Sequence, residues 1–388
     1  MKDFIRTIGC ITAMILMVQC EKDPDPEVGI GDESFLNALI ERGVDTNGDG
    51  LISREEAGAV TYLDVTYCGI SDMRGIEAFV NLDTLFCDWN LITDLDVSKN
   101  DALIALGAGG NRLTSLDVSG NQELRLLDCS DNQITALDLS GNTLLEGLFC
   151  MRNQLTGLDL SENTHLTRLI CQSNQLTALD VSGCTGLTYL DCYENQIASL
   201  DVSGNSALAE VRIGYNQLSS LDVSGVTEML ILDCGGNRLV SLDLSNNPAL
   251  TELYCGSNLF TGLDLSNNPL LEILYAMDNQ LTSLDVSHNT AMEWLICSEN
   301  QLTSLDVSNL PDLRILICGG NQLTSLDLSK NTSLGLGLGS VYLYCYLEIG
   351  NMPTLEEVCV WRLPFPPAGF LLCDTGSPNC NFTTGCGQ

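Results

Sequence analysis

The chain has 388 residues, of which 16 are basic and 51 acidic, for a formal charge of -35. That balance repels nucleic acid and anionic lipid surfaces, which excludes a nucleic-acid-binding role and leaves cationic partners as the natural complement. The length suits two or three ordinary domains, or one long repeat array with no internal boundary.

Residues 1–19 read as an export signal, because Lys2 and Arg6 precede an apolar run from Ile8 to Val18 that is too short to span a bilayer. Met17-Val18-Gln19-Cys20 resembles a bacterial lipobox, although Gln19 stands where a small residue is usual. The resemblance implies that Cys20 is cut free and acylated, so that a lipid anchor is the only membrane contact. Residues 20–33 form a tether, extended by the acidic, Pro-containing stretch Glu21 to Glu27. This stretch is similar to the acidic export tag of surface lipoproteins in some Gram-negative bacteria, which implies display on the outer membrane.

Residues 34–59 read as a small helical cap. Phe35, Leu36, Leu39 and Ile40 recur at helical spacing, and the twelve residues from Asp45 to Glu56 match an EF-hand loop position by position. Asp45, Asn47 and Asp49 offer side-chain oxygens, Gly50 allows the sharp turn, and Leu51 offers its carbonyl. Ser53 holds the ninth place and Glu56 is set to close the loop bidentately. One structural Ca2+ is therefore the expected cofactor. The leaving helix is short, since strand-like residues resume at Val60.

From residue 60 to residue 361 the chain repeats. A Leu-Asp-(Val/Leu)-Ser block recurs every 21 residues from Asp96 to Asp327, and a column of asparagines runs from Asn90 through Asn111 and Asn132 to Asn321. The frame L-x-x-L-x-C-x-x-N-x-L is the leucine-rich-repeat pattern. It implies an α+β to mainly β solenoid with a curved parallel sheet, strands about 4.8 Å apart and roughly 60 Å in total length. The asparagines are expected to turn inward and bond backbone groups freed at the strand ends. Neighbouring aspartates about 5 Å apart repel by roughly 0.8 kcal/mol even in water. Their carboxylates are therefore expected to accept backbone N–H groups one or two residues on, with a cation array along the convex face as the alternative. Cys87, Cys129, Cys150, Cys171, Cys192, Cys234, Cys255, Cys297 and Cys318 replace a strand leucine. Ala108, Ile213 and Ala276 share their column, which argues for buried free thiols over disulfides.

Outward strand positions line the concave face. In the first half these include Asp128, Arg168, Asp191, Glu210 and Arg212, with Phe86, Trp89 and Phe149 interspersed. Toward the carboxy end Ile231, Tyr254, Ile273, Tyr275, Trp294, Ile296, Ile315 and Ile317 fall on adjacent strands, an exposed apolar block of the kind that marks a binding surface. Two other accounts stay open: such residues favour strands in any case, and the tail could fold over them. Beyond Leu334 the pattern decays, Leu347-Glu348-Ile349 stands where Leu-Asp-Val belongs, and Leu355 to Val360 reads as a final strand. Residues 362–388 form a terminal cap in which Cys373, Cys380 and Cys386 are candidates for disulfides.

The unit from Leu63 to Leu82 resembles the repeats of internalin-like bacterial adhesins, and the likeness in repeat style extends to about Trp361. It implies a helical cap, a concave recognition sheet and a host or cell-surface protein as ligand. The period of 21, the cysteine column and the lipobox depart from that family's pattern. The chain thus reads as a surface binding or adhesion module for a protein ligand, with surface carbohydrate capture as the alternative. An enzyme is disfavoured, because His165 and His288 lie about six repeats, or roughly 28 Å, apart and no nucleophile has a base beside it.

Overall fold

The computed structural model describes residues 27–336, 345–367, 369–377 and 379–384. The signal segment, Cys20, most of the tether's acidic stretch and Cys386 lie outside the described residues. The chain folds as a leucine-rich-repeat solenoid with a small helical amino-terminal part.

Each repeat contributes one strand of two or three residues to a parallel sheet. In chain order the first seven are β1 (Tyr62–Asp64), β2 (Thr84–Phe86), β3 (Ala105–Gly107), β4 (Leu126–Asp128), β5 (Gly147–Phe149), β6 (Arg168–Ile170) and β7 (Tyr189–Asp191). The series continues with β8 (Glu210–Arg212), β9 (Ile231–Asp233), β10 (Glu252–Tyr254), β11 (Ile273–Tyr275), β12 (Trp294–Ile296) and β13 (Ile315–Ile317). The middle residue of each strand points inward, and Leu127, Leu148 and Leu169 are fully buried there. The cysteine column lies one inward position further on, with Cys150, Cys171 and Cys192 also fully buried and free. Burial drives these thiols' pKa values up, which keeps them protonated and inert.

The asparagine column is a ladder between repeats. Asn132 donates to the carbonyls of Ala108, Cys129 and Ser130 at 3.0 to 3.1 Å, and its Oδ1 accepts the Leu113 N–H at 2.9 Å. The backbone enters the left-handed region one residue earlier, as at Trp89 (φ 55) and Tyr215 (φ 50), and the next residue is the inward-turned asparagine. A second ladder escaped the sequence reading. It runs from Asn100 to Asn331 on the far side of the core, interrupted by Cys184, Val226 and Leu310. Asn142, for example, donates to Val118 and Asn121 carbonyls, while its Oδ1 is buried without a hydrogen-bond partner.

The aspartate column forms the expected turns. Each carboxylate accepts the N–H of the serine two residues on; at Asp201 the Ser203 N–H lies at 2.9 Å and holds the Asp201 pKa below the usual range.

At the amino end, α1 (Glu33–Glu41) and α2 (Arg54–Ala59) close the core with Phe35, Leu39 and Ala57. Asp32 caps α1 through the Phe35 N–H and also accepts from the Ser71 N–H at 2.9 Å and hydroxyl at 2.7 Å, which ties the cap to the first repeat.

The carboxy end differs from expectation. β14 (Ser325–Asp327) is followed by β15 (Leu347–Glu348), which joins the main sheet beside β13 and does not take the Leu-Asp-Val place. That place is held by β16 (Glu357–Cys359), which pairs with β14. The two assignments are exchanged because extra residues separate Asp327 from Leu347, and the strand resumes only after them. The described residues of the tail lie at the ends of the sheets and not over the concave face. They supply β17 (Leu372–Cys373), the last strand of the main sheet, and β18 (Asn381–Thr383), the last of a smaller three-stranded sheet. Of the tail cysteines, Cys373 pairs with Cys345 and Cys380 is free.

Candidate ligand-binding face and calcium loop

On the concave face, the carboxy-terminal apolar block forms two rows fixed by strand register. Ile273, Trp294 and Ile315 are neighbours in one row, and Tyr254, Tyr275, Ile296 and Ile317 in the other. Ile231 extends the first row beside Glu252. Ile231, Tyr254, Ile273, Tyr275, Trp294 and Ile317 are half-buried, with faces open to solvent. Ile315 and Ile296, expected to be exposed, are 0 % and 7 % accessible. Ile315 is enclosed because Trp294 flanks it on β12 and Tyr346, one place before the Leu316–Leu347 pair, flanks it on the other side.

Two further features of this face were not fully read from the sequence, which named Phe86 and Trp89 but not Tyr62, Tyr67, Tyr193 or Tyr215. Tyr67 and Trp89 stack nearly parallel with ring centroids 5.8 Å apart, and Tyr62 meets Phe86 edge-on at 6.1 Å, making a second aromatic cluster at the amino end. Beneath it Asp88 accepts the Gly109 N–H at 2.8 Å. Burial pushes the Asp88 carboxyl up to about 6, reinforced by Asp128 and Asp64 and opposed by the Gly109 bond. The other feature is Tyr193 and Tyr215, which project from the turns after β7 and β8 with centroids 5.1 Å apart. The turn position of Tyr215 is legible as the residue before a ladder asparagine, a signal that strand alternation alone does not give.

Between the two clusters the face is charged. The Arg168 guanidinium lies 4.1 Å from the Tyr189 ring centroid, and Arg212 pairs with Glu210. His165 and His288 sit in exposed turns, bonded to the Thr143 carbonyl and the Ser287 hydroxyl respectively, away from this face.

In the Asp45–Glu56 loop the side chains organise the turn. Asp45 accepts the N–H groups of Gly48 at 2.7 Å and Gly50 at 2.9 Å, Asn47 that of Asp49, and Asp49 that of Leu51. The first carboxylate oxygen of Glu56 accepts from the Thr46 N–H and hydroxyl, and the second from the N–H and hydroxyl of Ser53. The Ser53 N–H bond, with those from Thr46, holds the Glu56 pKa down to about 2 against the effect of burial. Ser53 and Glu56 together form a capping box at the start of α2. Among the described residues no three of His, Cys, Asp and Glu gather closely enough to hold a metal ion. Both oxygens of Glu56 are engaged within the loop.

Comparison with known proteins gives the fold as a leucine-rich-repeat solenoid. A leucine-rich-repeat protein of Leptospira interrogans shares the fold at 21% identity, TM-score 0.68, over 89% of this chain and 98% of that one. An internalin, InlF, of Listeria monocytogenes matches at 21% identity, TM-score 0.62, over 92% and 96%. The functional domain of InlJ from Listeria monocytogenes is similar at 35% identity, TM-score 0.67, over 80% of this chain and 75% of that chain. On that likeness the chain belongs to the internalin-like leucine-rich-repeat proteins. The InlJ domain is described as including a cysteine ladder, so the cysteine column is not the departure from the internalin pattern that the sequence suggested. No protein-family model and no curated protein matches the chain.

Proposed function

We propose that this chain is a cell-surface recognition module whose concave face binds a protein ligand. One observation carries the reading: half-buried aromatic and branched side chains stand in two rows across β9 to β13, and the described residues of the tail extend the sheet edge without covering them. Apolar anchors with partial exposure gain the most when a partner removes their remaining water. The lipobox-like Cys20 and acidic tether support attachment to the outer membrane with this face presented outward.

The loop is proposed to hold one calcium ion as a brace for the cap. Its residue types suit a hard cation, with carboxylates at Asp45, Asp49 and Glu56, the Asn47 amide oxygen, the Leu51 carbonyl and the Ser53 hydroxyl, and the carboxylates that now accept turn N–H groups would have to turn toward the ion. Such an ion would lock the chain between α1 and α2.

The test of the binding reading is a screen of the acyl-free protein against arrays of surface proteins and of glycans, with and without chelator. A protein ligand whose affinity falls at least tenfold in the Tyr275→Ala/Trp294→Ala variant is the expected result. Binding confined to glycans, or a protein ligand indifferent to that variant, overturns it.

A further inference from the structure

We propose that the concave face carries a receptor basin for a cationic side chain, arginine or lysine, of the protein partner, formed by Tyr193, Tyr215, Tyr254, Tyr275 and Asp233. This inference rests on the protein-binding reading above and names the chemistry of one contact within it.

The five residues line a single cavity of about 250 Å³. Tyr193 and Tyr215 form one side, and Tyr254 and Tyr275, with centroids 6.4 Å apart, form the other. Gly235, Gly236 and Gly256 line its floor, and Gly236 and Gly256 each lie against a ring. A methyl group on Gly256 would lie 2.9 Å from the Tyr275 ring, and one on Gly236 would lie 3.0 Å from the Tyr215 ring. At Gly214 a methyl would meet the Tyr193 ring and Asp233 Oδ1, each at 2.9 Å, so ring and carboxylate converge on one point. A side chain at Gly236 or Gly256 would crowd the ring above it.

Charge selects the occupant. Strands β7 to β10 place Asp191, Glu210, Asp233 and Glu252 on this face against the one cation Arg212, which is already paired with Glu210. Glu252 accepts the Tyr254 hydroxyl proton at 2.9 Å, which fixes that ring. Asp233 is half-buried and accepts the Gly235 N–H at 3.1 Å. Burial raises its pKa, opposed by the Gly235 bond and by Arg212, so a cation arriving in the basin gains a desolvated carboxylate as partner. Tyrosine faces attract the same cation. The sheet already shows this contact internally, in Arg168 over Tyr189. A neutral ligand would add no counter-charge to Asp233 beyond the Arg212 that Glu210 already engages.

Binding of Nα-acetyl-arginine methylamide and of its neutral isostere Nα-acetyl-citrulline methylamide, measured by ligand-observed NMR on the purified protein, tests the proposal. Saturable arginine binding at least tenfold tighter than citrulline is expected, with a tenfold loss in Asp233→Asn and in Tyr275→Leu. The convex variant Asp243→Asn, which removes an equal charge elsewhere, is expected to leave binding unchanged. Each variant's melting temperature guards against misfolding. Equal binding of both probes, equal losses in Asp233→Asn and Asp243→Asn, or no binding at all overturns the cation basin. A protein ligand that is lost in Tyr275→Ala/Trp294→Ala yet unaffected by Asp233→Asn overturns the basin alone and leaves the recognition face intact.

Discussion

The side-chain amide of Asn132 donates to the carbonyl of Ala108 at 3.0 Å, joining residues 24 positions apart across two turns of the solenoid. Because its Oδ1 also accepts from Leu113, removing the side chain leaves that buried N–H unpaired and takes one donor each from the carbonyls of Ala108, Cys129 and Ser130, which keep those of Asn111, Asn153 and Gly110. Asn132→Ala is expected to cost about 3 kcal/mol in denaturant unfolding. Asn142→Ala, whose Oδ1 has no partner to lose, is expected to cost less. Equal losses would show that the two ladders carry similar weight.

The aspartate column is expected to act through turns. Asp201→Ala removes the acceptor of the Ser203 N–H and should lower the melting temperature modestly while leaving calcium stoichiometry by calorimetry unchanged. Lost stoichiometry with unaltered melting would point to the cation array instead.

Calcium binding at the cap is expected to appear as one site by calorimetry and to vanish in Asp45→Ala/Glu56→Ala, with chelator lowering the melting temperature of the parent. Heat that survives the double substitution would place calcium elsewhere.

Asp88 makes stability depend on pH in a defined direction. Its folded pKa of about 6 stands above the ordinary 3.8, so the fold favours the protonated form. The stabilisation is complete below pH 3.8 and is lost as pH rises through 6. Asp88→Asn should therefore be more stable than the parent at pH 7.5, by about 1 to 2 kcal/mol given the side chain's partial access to water, and the difference should vanish near pH 4. A gap that widens on acidification would contradict the assignment.

The cysteine column is expected to resist iodoacetamide in the folded protein at pH 8 and to react after denaturation. Half-buried Cys68 and Cys380 are the expected native targets. Native labelling of Cys150, or a Cys129–Cys150 disulfide on peptide mapping, would contradict the structure.

Much of this was legible because a period of 21 fixes strand, ladder and core together: once Leu127 and Cys129 are inward, Leu126 and Asp128 must face out. What escaped depends on features outside that alternation. Tyr193 and Tyr215 lie after the strand, where a left-handed residue, not pleat, sets direction. Ile315 continues the exposed pattern of its row in the sequence, but the neighbour that encloses it, Tyr346, comes from beyond an insertion whose length hides the register. The second asparagine ladder was present in the Ser-x-Asn triplets but carried no strand signal to mark it as buried.

The most direct test of the recognition face is a hydrogen–deuterium exchange map of the protein with and without its strongest-binding partner. Slowed exchange across β9 to β13 and the turn holding Tyr215, with the Asp-Val-Ser turns unchanged, is the result expected. Slowing confined to the convex turns or to the α1–α2 cap would contradict it.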